Sequence, residues 1–443
     1  MLTRFDEVDV LKTIARTLII LTLLSAQAMA ELVIDVQGVS QPTPVAVVPF
    51  GWEGGSAAMP LDVASVIQAD LKRSGRFAPI DESKMLQKPT DGADVDFQDW
   101  GFVGVEAIVV GKVIQTGENA YTVRFQLFDT FRRKQLLGFQ IEKATRGNIR
   151  GAAHRAADMI YEKLTGIKGV FGTKVAYITA QQQGKGRLYT LIVSDQDGEN
   201  EHTIMESRDP IMSPAWSPDS RQLAYVSFEG NKSSIFIQTL RSGNRFQVSN
   251  KPGINGAPSF SPDGRKLVIT LGGVDGNPDI YVLDITSRQT KRLTTHRAID
   301  TEGTWSPDGR YIYFTSDRSG GPQVYRISAN GGTPERITFE GSYNARPRLS
   351  PDGKKLAMVH NDRGNYRIAA MDLENKNLLV LSTGQQDESP SFAPNSDILI
   401  YATRQRGDGV LETVSADGLI RQKMESGQGD VREPVWSPFP RFQ

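Results

Sequence analysis

Four histidines, His154, His202, His296 and His360, are the natural place to look for acid–base or metal chemistry in these 443 residues, and none stands in a His-x-x-x-His or other ligand spacing. Each therefore reads as a surface or capping residue. Cysteine is absent, which removes disulfides, thiolate metal sites and a thiol nucleophile together. The nearest string to a nucleophile elbow, Gly54-Gly55-Ser56-Ala57-Ala58, lacks the closing glycine, and no Gly-x-x-x-x-Gly-Lys phosphate loop occurs. Asp94, Asp96 and Asp99 imitate a calcium loop without its glycine and glutamate, and read as a solvated helix start. A hydrolase would need a nucleophile or a base cluster, so the expectation is no enzyme. Lys plus Arg equals Asp plus Glu at 51 each, so no basic field exists to recruit nucleic acid.

What rises above background is a set of residues that recurs. Counting back from six copies of a Ser-Pro-Asp-like tripeptide, the fourth position before it holds Ser213, Ala257, Glu302, Arg346, Ser389 and Glu433. The fifth holds Met212, Gly256, Thr301, Ala345, Glu388 and Arg432; the sixth holds Ile211, Asn255, Asp300, Asn344, Asp387 and Val431. Proline occupies the third position in five copies, with Gly303 the exception. Varied chemistry on a regular frame is the pattern of a binding rim, since a scaffold fixes the ends and the loops carry specificity. The carboxylates Asp300, Glu302, Asp387, Glu388 and Glu433 offer a place for an adventitious divalent cation; no cofactor is otherwise expected. A glycan-binding face would show exposed aromatics, and these positions hold none.

The elements that position this rim are strands. The tripeptides begin at Ser217, Ser261, Ser306, Ser350, Ala393 and Ser437, at steps of 44, 45, 44, 43 and 44 residues. A period in the forties with strand-like filling is the mark of a β-propeller, one four-stranded blade per repeat. Each tripeptide follows a bulky apolar residue (Trp216, Phe260, Trp305, Leu349, Phe392, Trp436) and precedes a β-rich run such as Leu223-Ala-Tyr-Val. The sixth copy stops after its tripeptide. Its missing strands are at Lys174, Arg187 and His202, so the last blade takes its inner strand from near Val435 and its outer three from residues 173–206. Six blades closed by the chain's final strand leave no free sheet edge.

Ahead of the propeller, Lys12 and Arg16 precede an apolar run from Leu18 to Leu24, and Ala28-Met29-Ala30 offers a small-x-small cleavage site. Residues 1–30 read as a secretory signal peptide, with Glu31 as the mature start. Residues 31–168 read as a separate α/β (α+β) domain. Its strands are expected at 45–50, 106–114, 121–128 and 135–141, and its helices at 61–73 and 149–164. Gly75 and Gly166 stand as helix stops, and residues 166–172 form a short linker into a propeller spanning 169–443.

The chain resembles the TolB family, periplasmic components of the Tol-Pal envelope system of Gram-negative bacteria. The resemblance rests on Glu31-Leu-Val-Ile-Asp, Val47-Val-Pro-Phe, Glu162-Lys-Leu-Thr-Gly-Ile-Lys-Gly, Asn255-Gly-Ala-Pro, Pro322-Gln-Val-Tyr and Pro434-Val-Trp-Ser-Pro. It implies a non-enzymatic, monomeric periplasmic adaptor that supports outer-membrane integrity and envelope constriction at division. The propeller mouth would bind the lipoprotein Pal, which gives peripheral association with the outer membrane, and the mature N-terminus would bind TolA. By carry-over the Pal face includes Ile254, Ala257, Thr301 and Glu302, with Asp300, Arg346, Glu388 and Glu433 of the same rim beside them. Ile254 stands where the family can have histidine. The TolA segment falls within residues 31–42 and centres on Glu31, Leu32, Val33, Ile34, Asp35 and Val36, a β-prone run suited to adding to a partner's sheet edge. On this reading Thr301→Ile or Glu302→Lys weakens Pal binding without lowering the melting temperature.

Overall fold

The computed structural model describes residues 41–55, 58–272, 276–405, 407–424 and 429–440. The signal peptide and residues 31–40 of the N-terminal segment lie outside the described residues.

The amino-terminal domain is one six-stranded sheet. Strands β1 (Thr43–Val47), β2 (Gly51–Glu53), β3 (Phe77–Pro79), β4 (Ala107–Gly117), β5 (Ala120–Asp129) and β6 (Lys134–Ala144) are arranged β3-β1-β4-β5-β6, with β2 also paired to β4. The pairs β1–β3, β1–β4 and β2–β4 are parallel, and β4, β5 and β6 form the expected antiparallel meander. Alternation along β1 sends Val45 and Val47 into one core, with helices α1 (Val63–Arg73) and α3 (Ile149–Thr165). Ala46, on the other face, joins Trp100 of helix α2 (Phe97–Val103). Asp96 caps α2 by accepting the Gln98 N–H at 2.9 Å, so the helix start read at Asp94–Asp99 is present. Gly75 ends the turn after α1 at φ +68°, and a Cβ there would sit 2.3 Å from Ile420 Cγ2; the helix stop is also a point of close approach to the propeller.

The propeller consists of six four-stranded antiparallel sheets. In the last one, strand Asp430–Trp436 is innermost and pairs with β7 (Lys174–Gln183), followed by β8 (Gly186–Asp195) and β9 (His202–Ser207). Val435 lies opposite Ala176 and Trp436 opposite Val175, which is the closure expected from the repeat count.

The recurring tripeptide is a hydrogen-bonded unit. Each serine hydroxyl donates to the aspartate two residues on, at 2.5 to 2.6 Å for Ser217, Ser261, Ser306 and Ser350. The same oxygen accepts the N–H five residues on, at 2.9 Å in all four. The Ser306 hydroxyl and the Arg310 N–H hold Asp308 at about 2, well below the usual carboxylate range. The preceding tryptophans lock neighbouring blades: Trp305 Nε1 donates to Ser259 O at 3.2 Å and Trp216 Nε1 to Val435 O at 3.0 Å.

Helices α1 and α3 bring the sheet domain onto the turn side of the propeller. Arg76 pairs with Asp397 at 3.0 Å, Arg73 and Arg150 reach Asp197 at 3.1 and 2.5 Å, and Asn395 Nδ2 donates to Lys168 O at 3.0 Å.

Candidate functional site

The residues expected in loops ahead of the inner strands lie within those strands. All six residues at the fourth position before the tripeptide have left-handed backbones: Ser213, Ala257, Glu302, Arg346, Ser389 and Glu433 at φ 52°, 45°, 59°, 54°, 57° and 49°. At each one the strand register shifts, so every inner strand carries a β-bulge, with the recurrent proline as its next residue in five of the six and Gly303 in the other. Proline cannot donate to a ladder, and the bulge is where no donor is required. Left-handed geometry in non-glycine residues persists only where surrounding structure over-determines it. Here the effect is to turn one side chain per blade toward the axis.

Those side chains close the channel. Together with the prolines, Gly303 and Arg348 they line a cavity of about 30 Å³, room for a water or two. Arg346 is the hub. Its Nε donates to Glu302 Oε1 at 2.8 Å, its backbone N–H to Glu302 Oε2 at 3.0 Å and its Nη1 to Ser389 Oγ, and Nη2 lies 3.7 Å from Glu433 Oε1. Glu302 also accepts from Thr315 Oγ1 at 3.0 Å, and Glu433 accepts the Ser213 N–H at 2.5 Å. Burial opposes charge on Arg346, but Glu433, Glu302 and Glu388 outweigh it and raise the guanidinium value. Glu302 therefore closes the axis as much as it edges the mouth. Glu302→Lys, expected to leave the melting temperature unchanged, would set an ammonium against Arg346 and cost stability.

The sixth position before the tripeptide is buried in every blade. Asp300, expected on the rim, is 0% exposed and takes two bonds from Arg318 Nη2 at 2.9 and 2.7 Å. Asn255 accepts from Ser249 Oγ at 2.6 Å and the Lys251 N–H at 2.9 Å, and Asn344 donates to Gln323 and to Glu340 O at 2.9 and 2.7 Å. These side chains pin the loop that brings each chain segment inward. Asp387 does the same through Ser382 and the Gly384 N–H, and burial raises its carboxyl above the ordinary range. Thus four of the five carboxylates read as a cation site are divided among arginine pairs and loop anchors, while Glu388 lines the mouth cavity. Among the described residues the grouping with metal-ligand spacing is elsewhere, at Asp70, His154 and Asp197.

What remains at the mouth has two halves. Ile254 is 48% exposed, and Ile299, at the same repeat position one blade on, is 49% exposed. The next copy of that position is Tyr343, which meets Tyr366 edge-on with ring centroids 5.1 Å apart. Ile299 and the tyrosines were not singled out from the sequence; carrying the repeat alignment one residue further back would have found Ile299 and Tyr343. The tyrosines edge a cavity of about 490 Å³ whose other walls include Glu388, Arg404 and Arg432. Ala257 and Thr301 are partly exposed beside the isoleucines, and Thr301 Oγ1 lies 3.3 Å from Thr270 Oγ1.

Of the histidines, His202 and His296 are exposed, and His296 Nδ1 accepts the Ala298 N–H at 3.0 Å as a capping residue would. The other two differ from expectation. His360 is buried against Asn344 at 2.9 Å, and burial lowers its value. His154 is buried where α3 meets the propeller. It was missed because the apolar stripe of α3 was read as the whole packed surface, whereas Arg150, His154 and Asp158 form a second, polar stripe at four-residue spacing.

Two family models match the chain: a TolB amino-terminal domain over residues 32–136 and a TolB beta propeller domain over residues 161–440. A relative named Tol-Pal system protein TolB from Xanthomonas campestris pv. campestris is 48% identical over 428 residues, covering 96% of this chain and 97% of its own. One of the same name from Xanthomonas oryzae pv. oryzae is 47% identical over 433 residues, covering 97% and 98%. The crystal structure of TolB from Acinetobacter baumannii aligns with a TM-score of 0.81 at 41% identity, covering 90% of this chain and 97% of that one. With both domains matched in order and nearly the full length aligned, this chain belongs to the TolB family.

Proposed function

We propose that this chain is a non-enzymatic, monomeric periplasmic adaptor of the Tol-Pal system that docks Pal at the propeller mouth and TolA through its mature N-terminus. The observation that carries the first half is the composition of the mouth: half-exposed Ile254 and Ile299 stand at the repeat position that Tyr343 fills at the edge of a cavity walled also by Glu388, Arg404 and Arg432. Apolar anchors flanked by a charged rim suit a protein partner, whose affinity comes from a few buried contacts and whose orientation comes from the charges. Kinship with proteins named for the Tol-Pal system supports the choice of partners.

Thr301→Ile tests the Pal face. Thr301 is partly exposed and contacts only Thr270 by hydroxyl, so the substitution should weaken binding of the soluble Pal domain by about tenfold or more, the scale of one lost interface contact. Its melting temperature should stay within about 2 °C of the parent, as for surface changes away from the core. Unchanged affinity measured by calorimetry would remove Thr301 from the face. Deleting residues 31–42 should abolish TolA binding while the far-UV circular dichroism and Pal affinity stay those of the full mature chain. Retained TolA binding would place that site elsewhere.

A glycan-binding reading has one observation in its favour, the Tyr343–Tyr366 pair at the cavity edge. The rings meet at 80°, an edge-on packing rather than a flat stacking platform. Calorimetry with soluble peptidoglycan fragments separates the readings: heat abolished by Tyr366→Ala would favour the glycan.

A further inference from the structure

We infer that the junction between the sheet domain and the propeller is a protonation-sensitive latch, in which a charged His154 bridges Asp70 of its own domain to the Asp195–Asp197 turn of the propeller. His154 is 2% exposed. Its Nδ1 lies 2.7 Å from Asp70 Oδ2, while Nε2 faces Asp197 Oδ2 at 3.8 Å and Asp195 Oδ2 at 4.0 Å with no hydrogen-bond partner. A neutral imidazole carries one N–H, so either tautomer sets a lone pair against a carboxylate. The doubly protonated ring alone presents a proton to both sides.

The surrounding charges come from every element packed on the ring. Helix α1 supplies Asp70 and Arg73, α3 supplies Arg150 and Asp158, the end of β8 supplies Asp195 and the turn after it Asp197. Lys174 and Asn200 hold Asp195 at 2.7 and 2.6 Å. Asp70, His154 and Asp197 also have the spacing of a metal site, but Arg73 and Arg150 already donate to its two carboxylates. A divalent ion would meet two guanidinium groups, so the proton is the cation that fits.

Burial works against charge on His154, yet Asp70, by hydrogen bond and by charge, with Asp197 and Asp195 behind it, lifts its value above that of free imidazole. A base raised in the folded state lends stability that is complete below the ordinary imidazole value and is lost as pH rises through the folded one. Asp158 acts in the same direction. Burial pushes it up to about 7 against the N–H groups of Phe171 and Gly172, which it accepts at 2.7 and 3.0 Å, so it withdraws stability as pH rises from the ordinary carboxylate value to that point. Asp197 sets the acid limit: burial opposes ionisation there, but His154, Arg150 and Arg73 hold it below the usual carboxylate range. The latch is therefore tightest in mildly acidic solution and loosens toward alkaline pH.

Hydrogen exchange on the full mature chain, corrected for intrinsic rates, tests this. From pH 5.5 to 8.5, protection of residues 149–165 and 195–200 should fall by about tenfold, the factor that goes with one pKa unit, while the strands of the third blade hold constant. In His154→Gln the fall should shrink to the smaller part that Asp158 contributes below about pH 7. A flat parent profile, or the same slope in the variant, would overturn the proposal. Should the variant fail to fold, the His154 imidazole resonances of the parent decide the matter: a midpoint below the ordinary imidazole value overturns it, and one above supports it.

Discussion

Replacing Trp436 by alanine should lower stability by about 3–5 kcal/mol, the range for removing a buried large aromatic. The side chain is 6% exposed and lies in a cluster drawn from the fifth blade, the closing strand and β7, including Ile400, Val175 and Tyr177. Its indole N–H donates to Thr173 Oγ1 at 2.7 Å, and its backbone N–H donates to Ser391 Oγ at 2.9 Å. The substitution therefore opens a cavity at the seam where the two ends of the propeller meet. Trp305→Ala is the control. It removes a comparable side chain at an interior seam, where Trp305 bonds Ser259 of the preceding blade. Both variants should lose stability in urea, but only Trp436→Ala should expose residues 174–207 to early proteolysis, because only there does closure join distant parts of the chain. A loss under about 1 kcal/mol would mean that the seam does not depend on this tryptophan.

Arg346→Met should cost about 2–4 kcal/mol, somewhat less than the range for breaking a fully buried ion pair because Arg346 and Glu302 are each about a quarter exposed, 26% and 21%. The change leaves Glu302 and Glu433 facing the axis without their shared cation, and leaves Ser389 without its donor. The penalty should grow with pH. Without Arg346 the two facing carboxylates repel one another only when ionised, so the variant is harmed less in acid than at neutral pH. Denaturation midpoints at pH 4.5 and 8 measure this directly. Arg346→Lys should recover little, since one ammonium cannot reach Glu302, Ser389 and Glu433 together. A penalty that does not vary with pH would falsify the hub role and reduce Arg346 to a packing residue.

Six copies of one tripeptide made the blade count, the closing strand and the strand order legible, because a fixed period constrains every repeat at once. The sheet domain was legible where periodicity was long, in α1, α3 and the β4–β6 meander. It was not where elements are short: Phe77–Pro79 has three residues and too little pattern to distinguish it from loop. The bulges escaped notice for a different reason. A proline before an apolar residue reads as the entry to a strand, and nothing local says that the pairing resumes on both sides of it. Asp300 and His154 misled together, since a polar side chain says nothing of whether its partner lies in solvent or in a segment far along the chain; Arg318 is 18 residues from Asp300, and Asp70 is 84 from His154. Ile254 is half-exposed just ahead of its inner strand, whereas Ala257 and Thr301 lie within the bulged inner strands and not in loops before them.

The seven residues Asp430–Trp436 seal the ring, and their two ends face different tasks. Asp430 and Arg432 belong to the wall of the mouth cavity, whereas Trp436 rests on Thr173, where the chain arrives from the sheet domain. The strand spans about 23 Å at roughly 3.3 Å per residue, with the bulge at Glu433 between its two ends. One strand thus ties the wall of the mouth cavity to the segment by which the chain leaves the sheet domain.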